Sequence, residues 1–269
     1  MIEEHKEMQG VLEKMYHERG FDFREYRDTT LTRRLGRRLR ATGAETYADY
    51  TRVLDQDPAE YQRLFEDLTI NVTSFFRDQV AFKALKEAVL PKLINRGSNR
   101  WKRLRIWSAG CATGEEPYSM AMLLLEHLGE HISRWNVTIL ASDIDAKVLQ
   151  RAREGVFAEV QGIRPAWRDR YLTAEGGSFS VRPALRRLVT FQRHNLVSDP
   201  PYFDLDLVVC RNVLIYFKPP LQMRVLKGFH QGLKEGGFLL LGKSEVPLGE
   251  KETFFHCLDS KARLYQKGK

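Results

Sequence analysis

The chain changes its hydrophobic rhythm once, near residue 100. Before that point apolar positions recur every three to four residues, the period of helices with one buried face. Val11, Leu12, Met15 and Tyr16 form a first stripe that ends near Gly20. Tyr26 to Leu39 carries Leu31, Leu35 and Leu39, and stops at Ala41-Thr42-Gly43. Helical patterns resume over Thr46–Leu54 and Pro58–Thr69, with Pro58 suited to a first helical position. Asn71 to Asp78, reading NVTSFFRD, breaks the rhythm before a further helix over Gln79–Ile94.

Beyond a polar joint at 95–100, short apolar runs alternate with helical ones. Strands are predicted at Leu104–Ser108, Val137–Ser142, Leu188–Gln192, Leu205–Arg211, Gly237–Gly242 and near Ala262–Gln266. Helices are predicted at Glu116–Leu128, Ala146–Glu154 and Pro220–Lys234. Strand–helix alternation of this kind builds a parallel sheet covered by helices on both faces. Gly155–Arg187 interrupts it with a short helix around Pro165–Tyr171 and a hairpin at Gly176-Gly177. We read this as a small β insertion, about 155–187. The expected domains are therefore a helical one over 1–94 and an α/β one over 95–269.

Composition narrows the setting. No apolar run approaches the length of a membrane span, and the start, MIEEHKEMQG, does not read as a signal peptide. Cys111, Cys210 and Cys257 are scattered, with no C-x-x-C, so neither a disulfide framework nor a metal site is expected. A reducing cytoplasm is the simplest home. The net charge of +8 includes seven arginines between Arg24 and Arg40, opposed only by Glu25 and Asp28. On charge alone this cluster suits an acidic protein, a phosphate backbone or plain solvent.

Candidate chemistry concentrates at the strand ends, where open α/β sheets bind ligands. Ile106–Pro117 reads IWSAGCATGEEP: a strand, a small-residue turn, then a helix start. Glu115 and Glu116 would repel a pyrophosphate at that helix end, where phosphates otherwise sit. They suit a cationic nucleoside such as S-adenosylmethionine. The same corner also fits a plain βα turn with capping acids. Asp143 ends the second strand, where a carboxylate can take both ribose hydroxyls. Asn195 and Leu196 end the third and suit the edge and face of an adenine. Asn212 and Val213 end the fourth, with Asn212 able to meet the ligand's amino-acid end.

These stretches carry a resemblance. NVTSFFRD, WSAGCATGEEPYSMA, ASDID, CRNVLIYF and LLLGKSE, in that order along nearly the whole chain, resemble the CheR family. That family methylates glutamates of bacterial chemotaxis receptors. The resemblance implies a Rossmann-like class I methyltransferase sheet with an inserted β-subdomain, preceded by an all-helical domain. It implies that S-adenosylmethionine is used and S-adenosylhomocysteine released. By residue it implies Asn71, Thr73, Arg77, Glu115, Asp143, Asn195, Leu196, Asn212 and Val213 around the cofactor, with Arg77 and Tyr216 beside the methyl group.

A receptor's acidic methylation region would then dock on the basic helix at Arg33, Arg34, Arg37, Arg38 and Arg40, with no nucleic acid and no membrane insertion involved. The segment 172–180 lacks the G-x-G of relatives that grip a receptor's C-terminal peptide, so such a tether is not expected. A CheR-like methyltransferase acting on another protein, and a non-catalytic scaffold that binds the cofactor or a regulator, are the alternatives.

Overall fold

The computed structural model describes residues 2–95, 102–247 and 254–268. Contacts divide the chain into two compact units, one of 1–70 with 216–222 and one of 71–215 with 223–269. The joint expected at 95–100 lies outside the described residues, apart from Asn95. The division in contacts comes earlier, between Ile70 and Asn71.

The first unit holds helices α1 (Ile2–Arg19), α2 (Asp28–Thr42), α3 (Tyr47–Gln56) and α4 (Pro58–Leu68). Thr46 and Asp49 form a reciprocal capping box at α3. Asp57 caps α4 ahead of Pro58. The apolar stripes meet in the middle, burying Val11, Leu12, Met15, Leu31, Leu35, Leu54 and Leu64. One polar cluster is buried with them. The Arg38 guanidinium donates to both Glu60 oxygens at 2.8 and 2.7 Å, and the Tyr50 hydroxyl adds a bond of 2.7 Å. Tyr216–Gln222 joins this unit: the Arg27 amide donates to the Tyr216 carbonyl at 2.8 Å, and Lys218 pairs with Asp28 at 2.9 Å.

This changes the picture of the arginine face. Arg38 is spent inside the bundle, so it leaves the docking surface expected for it. Arg37 pairs with Asp67. Arg34 is half-buried near Tyr216, and its Nε has no partner among the described residues. Arg33 and Arg40 stay exposed.

The second unit opens with a helix in three parts: α5 (Gln79–Ala84), a π-helical turn (Leu85–Val89) and α6 (Leu90–Ile94). Pro91, which has no amide to donate, follows the wide turn. Then come β1 (Lys102–Ala109), α7 (Glu115–Leu128), β2 (Trp135–Asp143), α8 (Ala146–Glu154), β3 (Val156–Phe157), α9 (Pro165–Tyr171), β4 (Leu172–Glu175) and β5 (Ser178–Val181). The chain ends with α10 (Pro183–Arg186), β6 (Val189–Arg193), β7 (Leu205–Cys210), α11 (Pro219–Gly232), β8 (Leu233–Leu241), β9 (Phe255–Asp259) and β10 (Leu264–Lys267).

Seven strands form one sheet in the order β6-β2-β1-β7-β8-β10-β9. The first five are parallel, and β10 and β9 run antiparallel to their neighbours. The sheet is therefore not wholly parallel, and β9 is a strand that the hydrophobic pattern does not predict. The insertion is a separate antiparallel sheet in the order β3-β5-β4.

Phe82, Leu85, Val89 and Leu93 are buried in the same core as Ile106, Ile139, Val209 and Phe238. That shared core is why 71–94 belongs with the sheet and not with the preceding helices. The strand order turns round at β1, running out to β2 and β6 on one side and to β7 and β8 on the other, which places a crevice at the carboxyl ends of β1 and β7. No helix among the described residues is long and apolar enough to cross a membrane.

Candidate active site

The turn after β1 is folded back on β2. The amides of Gly110 and Cys111 both donate to the Ser142 carbonyl, at 2.8 and 2.9 Å. Gly110 has φ +77°, and a Cβ there would lie 2.4 Å from Val213 Cγ2. Only glycine lets the β1 and β7 loops approach this closely. Two strand ends that the sequence places separately are thus in contact.

Asp143 is buried beside this turn. Its oxygens accept the amides of Ala112 and Asp145, each at 3.0 Å. Burial pushes its carboxyl up to about 6, against the opposing effect of those bonds. The two glutamates at the start of α7 separate. Glu115 accepts the Thr113 hydroxyl, at 2.7 Å, and burial raises its pKa. Glu116 turns inward. It accepts the Ser108 hydroxyl at 2.8 Å and faces Arg211 at 3.4 Å. Burial raises its pKa, and Arg211 opposes the rise. The expectation that both acids face a ligand is therefore corrected: adjacent helical residues point about 100° apart, and Glu116 is an internal ion-pair partner.

The loop 71–77 is fastened onto this unit at three points. Asn71 Nδ2 donates to Asp145 at 2.9 Å, and Asp145 in turn caps α8. The Phe76 amide donates to Ser119 Oγ at 3.0 Å. Arg211 Nη2 donates to the Arg77 carbonyl at 2.7 Å and to Asp78 at 2.6 Å. Arg77 itself donates to the Val72 carbonyl at 2.7 Å and makes no ion pair among the described residues. Thr73 is half-buried in the same loop.

The loop after β7 hangs on one carboxylate. Glu245, buried, accepts the amides of Gly242, Asn212, Val213 and Ile215 at 2.6, 2.9, 2.8 and 3.3 Å. Asn212 is held at φ +61°, and its Oδ1 is buried without a partner among the described residues. After β6, Asn195 Oδ1 accepts the Val197 amide at 2.9 Å, while its side-chain NH2 makes no bond among the described residues. Leu196 beside it is half-buried. Nine of the expected residues, Asn71 to Val213, thus belong to the sheet unit, and Tyr216 belongs to the helical one. Among the described residues no acidic, histidine or cysteine cluster could hold a metal.

Sequence reasoning assigned no role to Glu245, Arg211, Asp145 or Ser119. Glu245 and Arg211 stand in LLLGKSE and CRNVLIYF, so the motifs were the available signal. His194 is buried against the Trp107 and Tyr202 rings, at 5.2 and 4.9 Å. Burial raises the Cys111 thiol well above its ordinary value, which removes it as a nucleophile.

Comparison with known proteins agrees with this layout. Residues 71–263 match the CheR methyltransferase SAM binding domain, and 6–69 match the CheR methyltransferase all-alpha domain. An uncharacterized 104.1 kDa protein from the hypE 3′ region of Rhodobacter capsulatus is 38% identical over 91% of this chain. The alignment spans only 26% of that relative's own length. Chemotaxis protein methyltransferase 2 of Pseudomonas aeruginosa is 38% identical over 89% of this chain and 86% of its own. A chemotaxis protein methyltransferase of Borreliella burgdorferi is 33% identical, covering 91% and 89%. S-adenosylmethionine is the cofactor of the matched domain, and this chain, with both of its parts accounted for, belongs to the CheR methyltransferase family.

Proposed function

We propose that this chain transfers a methyl group from S-adenosylmethionine to glutamate side chains of chemotaxis receptors, forming methyl esters in the cytoplasm. The observation that carries the reading is Arg77, a cation with no carboxylate partner among the described residues, on a loop fastened to the cofactor domain. The names of the relatives, chemotaxis protein methyltransferases, support the receptor as substrate.

The strand ends suit the cofactor. The unpartnered Asn212 Oδ1 and the Glu115 carboxylate are two acceptors for an ammonium group. Asp143 keeps lone pairs for ribose hydroxyls beyond its two amide bonds. Asn195 offers its NH2 to an adenine edge, Leu196 and Val213 offer apolar faces, and Asn71 and Thr73 close the loop side.

When bound, S-adenosylmethionine supplies a sulfonium methyl, an electrophile that an ionised carboxylate attacks in line without acid–base help. What remains for this chain is to steer and to dry. Arg77 guides the incoming carboxylate; the family resemblance, and not a contact, gives Tyr216 the role of orienting it. Arg77 must not hold the carboxylate too tightly, because binding the ground state strongly would slow attack. The test is to incubate the protein with labelled S-adenosylmethionine and receptor cytoplasmic fragments. Base-labile methyl ester mapped to glutamates by mass spectrometry is expected. Label confined to another protein class, or none at all, overturns the reading.

A further inference from the structure

The sheet unit carries a second concavity that none of the strand-end residues lines. A cavity of about 470 Å³ opens between the outer face of α5 with its π-helical turn and the insertion around α9. Its floor is aromatic. The Phe76 ring sits 5.0 Å from Phe82 and 5.5 Å from Trp167. Val80, 56% exposed, extends the apolar surface. The polar groups are mostly of one sign. Lys83, Lys86 and Arg164 are exposed and make no ion pair among the described residues, and Glu87 is the one acid in the lining. Val80, Lys83 and Glu87 follow helical spacing, as do Lys83 and Lys86, so one helix face presents the apolar and the cationic groups together.

The cavity is built on the loop that carries Arg77. Phe76 lines it and is the residue before Arg77. Gly162, also in the lining, closes on that loop: a Cβ there would lie 2.3 Å from the Phe75 carbonyl oxygen. Unpaired like charges around an apolar floor are complementary to an acidic partner that brings a large apolar side chain.

We infer that this cavity docks the substrate segment flanking the methylated glutamate, an acidic peptide whose large apolar side chain fills the aromatic floor. The inference rests on the receptor reading above. Carboxylates of the segment face Lys83 and Lys86, the anchor sits against Phe76 and Trp167, and the target glutamate is presented to the adjoining loop. Docking of this kind acts on substrate affinity and not on the methyl-transfer step.

Steady-state methylation of a receptor cytoplasmic fragment, with Lys83→Glu/Lys86→Glu and separately Val80→Glu, tests it. All three positions are exposed, and S-adenosylhomocysteine affinity checks that each variant keeps its fold. The double variant is expected to raise KM about tenfold and Val80→Glu severalfold, with kcat within about twofold of wild type. The salt dependence of KM should also shrink in the double variant. Unchanged KM in both variants, or a loss confined to kcat, overturns the docking pocket while leaving receptor methylation standing. Wild-type protein that leaves the fragment unmethylated overturns the receptor reading, and the pocket's assignment falls with it.

Discussion

The two units put buried charge to different uses. In the helical unit, an ion pair and a hydroxyl bond to one another: Arg38, Glu60 and Tyr50 tie α2, α3 and α4 together. The sheet unit has such a pair too, Arg211 with Glu116, but it adds carboxylates that bond to backbone: Glu245 gathers four amides and Asp143 two. Side-chain pairs fix how preformed helices pack. Backbone-gathering carboxylates fix loops that have no repeating hydrogen bonds of their own. The sheet unit needs the second device because its candidate site is made of loops. Within it, the number of amides separates roles. Glu245 is filled by protein, whereas Asp143 retains capacity for a ligand.

The largest effect should come from Glu245→Ala, which leaves up to four amides unpaired. We expect a loss of about 3–6 kcal/mol in chemical denaturation, together with loss of S-adenosylhomocysteine binding. Glu60→Ala removes both close oxygens from the largely buried Arg38 and leaves it only Asp67, at 3.7 Å, so it should cost about 3 kcal/mol, with the affinity for S-adenosylhomocysteine kept. If both variants lost cofactor binding equally, the contrast between the units would not hold.

Arg77→Ala should lower turnover about 100-fold or more while S-adenosylhomocysteine affinity stays within about threefold. Near-normal turnover would remove Arg77 from the chemistry.

Asp143 predicts a pH effect. Burial holds its carboxyl at about 6, above the free value. As pH falls from 7 to 5 the folded protein protonates this group, and S-adenosylhomocysteine affinity should drop about tenfold in calorimetry. The folded state takes up this proton at a higher pH than the unfolded chain does. Acidification through this window therefore adds stability from this group, and weaker binding there is not unfolding. Affinity that stays flat from pH 7 to 5 would deny Asp143 a ligand role.

The smallest effect is reserved for the exposed arginines. Arg33→Glu/Arg40→Glu should raise the KM for a receptor fragment about two- to threefold at low salt and leave stability alone. Arg38 replaced in the same way should instead destabilise the bundle.

Periodicity was enough for α1 to α4, because each buries one face; the parallel strands were legible as short apolar runs, β7 being buried along its whole length, and the hairpin from its glycines, Gly176-Gly177. It failed at β9, where only Phe255 is fully buried and the rest of the strand lies toward solvent, so no apolar alternation is written there. Strand direction was also out of reach: nothing in Leu264–Lys267 writes that it pairs antiparallel with β8.

At the candidate site, the strand-end residues were legible because fold topology alone puts them at one edge. Glu245 was not. It looks like a loop acid after β8, and three of its four partners lie some thirty residues earlier. Glu115 and Glu116 read alike in the sequence. Only the position of Arg211 tells them apart.

The break between Ile70 and Asn71 bears on how this protein could be re-engineered. Asn71, Thr73 and Arg77 travel with the sheet, so a foreign helical module spliced in at that point would leave the loop 71–77 native. A single splice would still make a mismatched chimera, because 216–222 is counted with the helices. A working hybrid needs two grafts from the same donor, the amino-terminal module and this seven-residue patch far downstream.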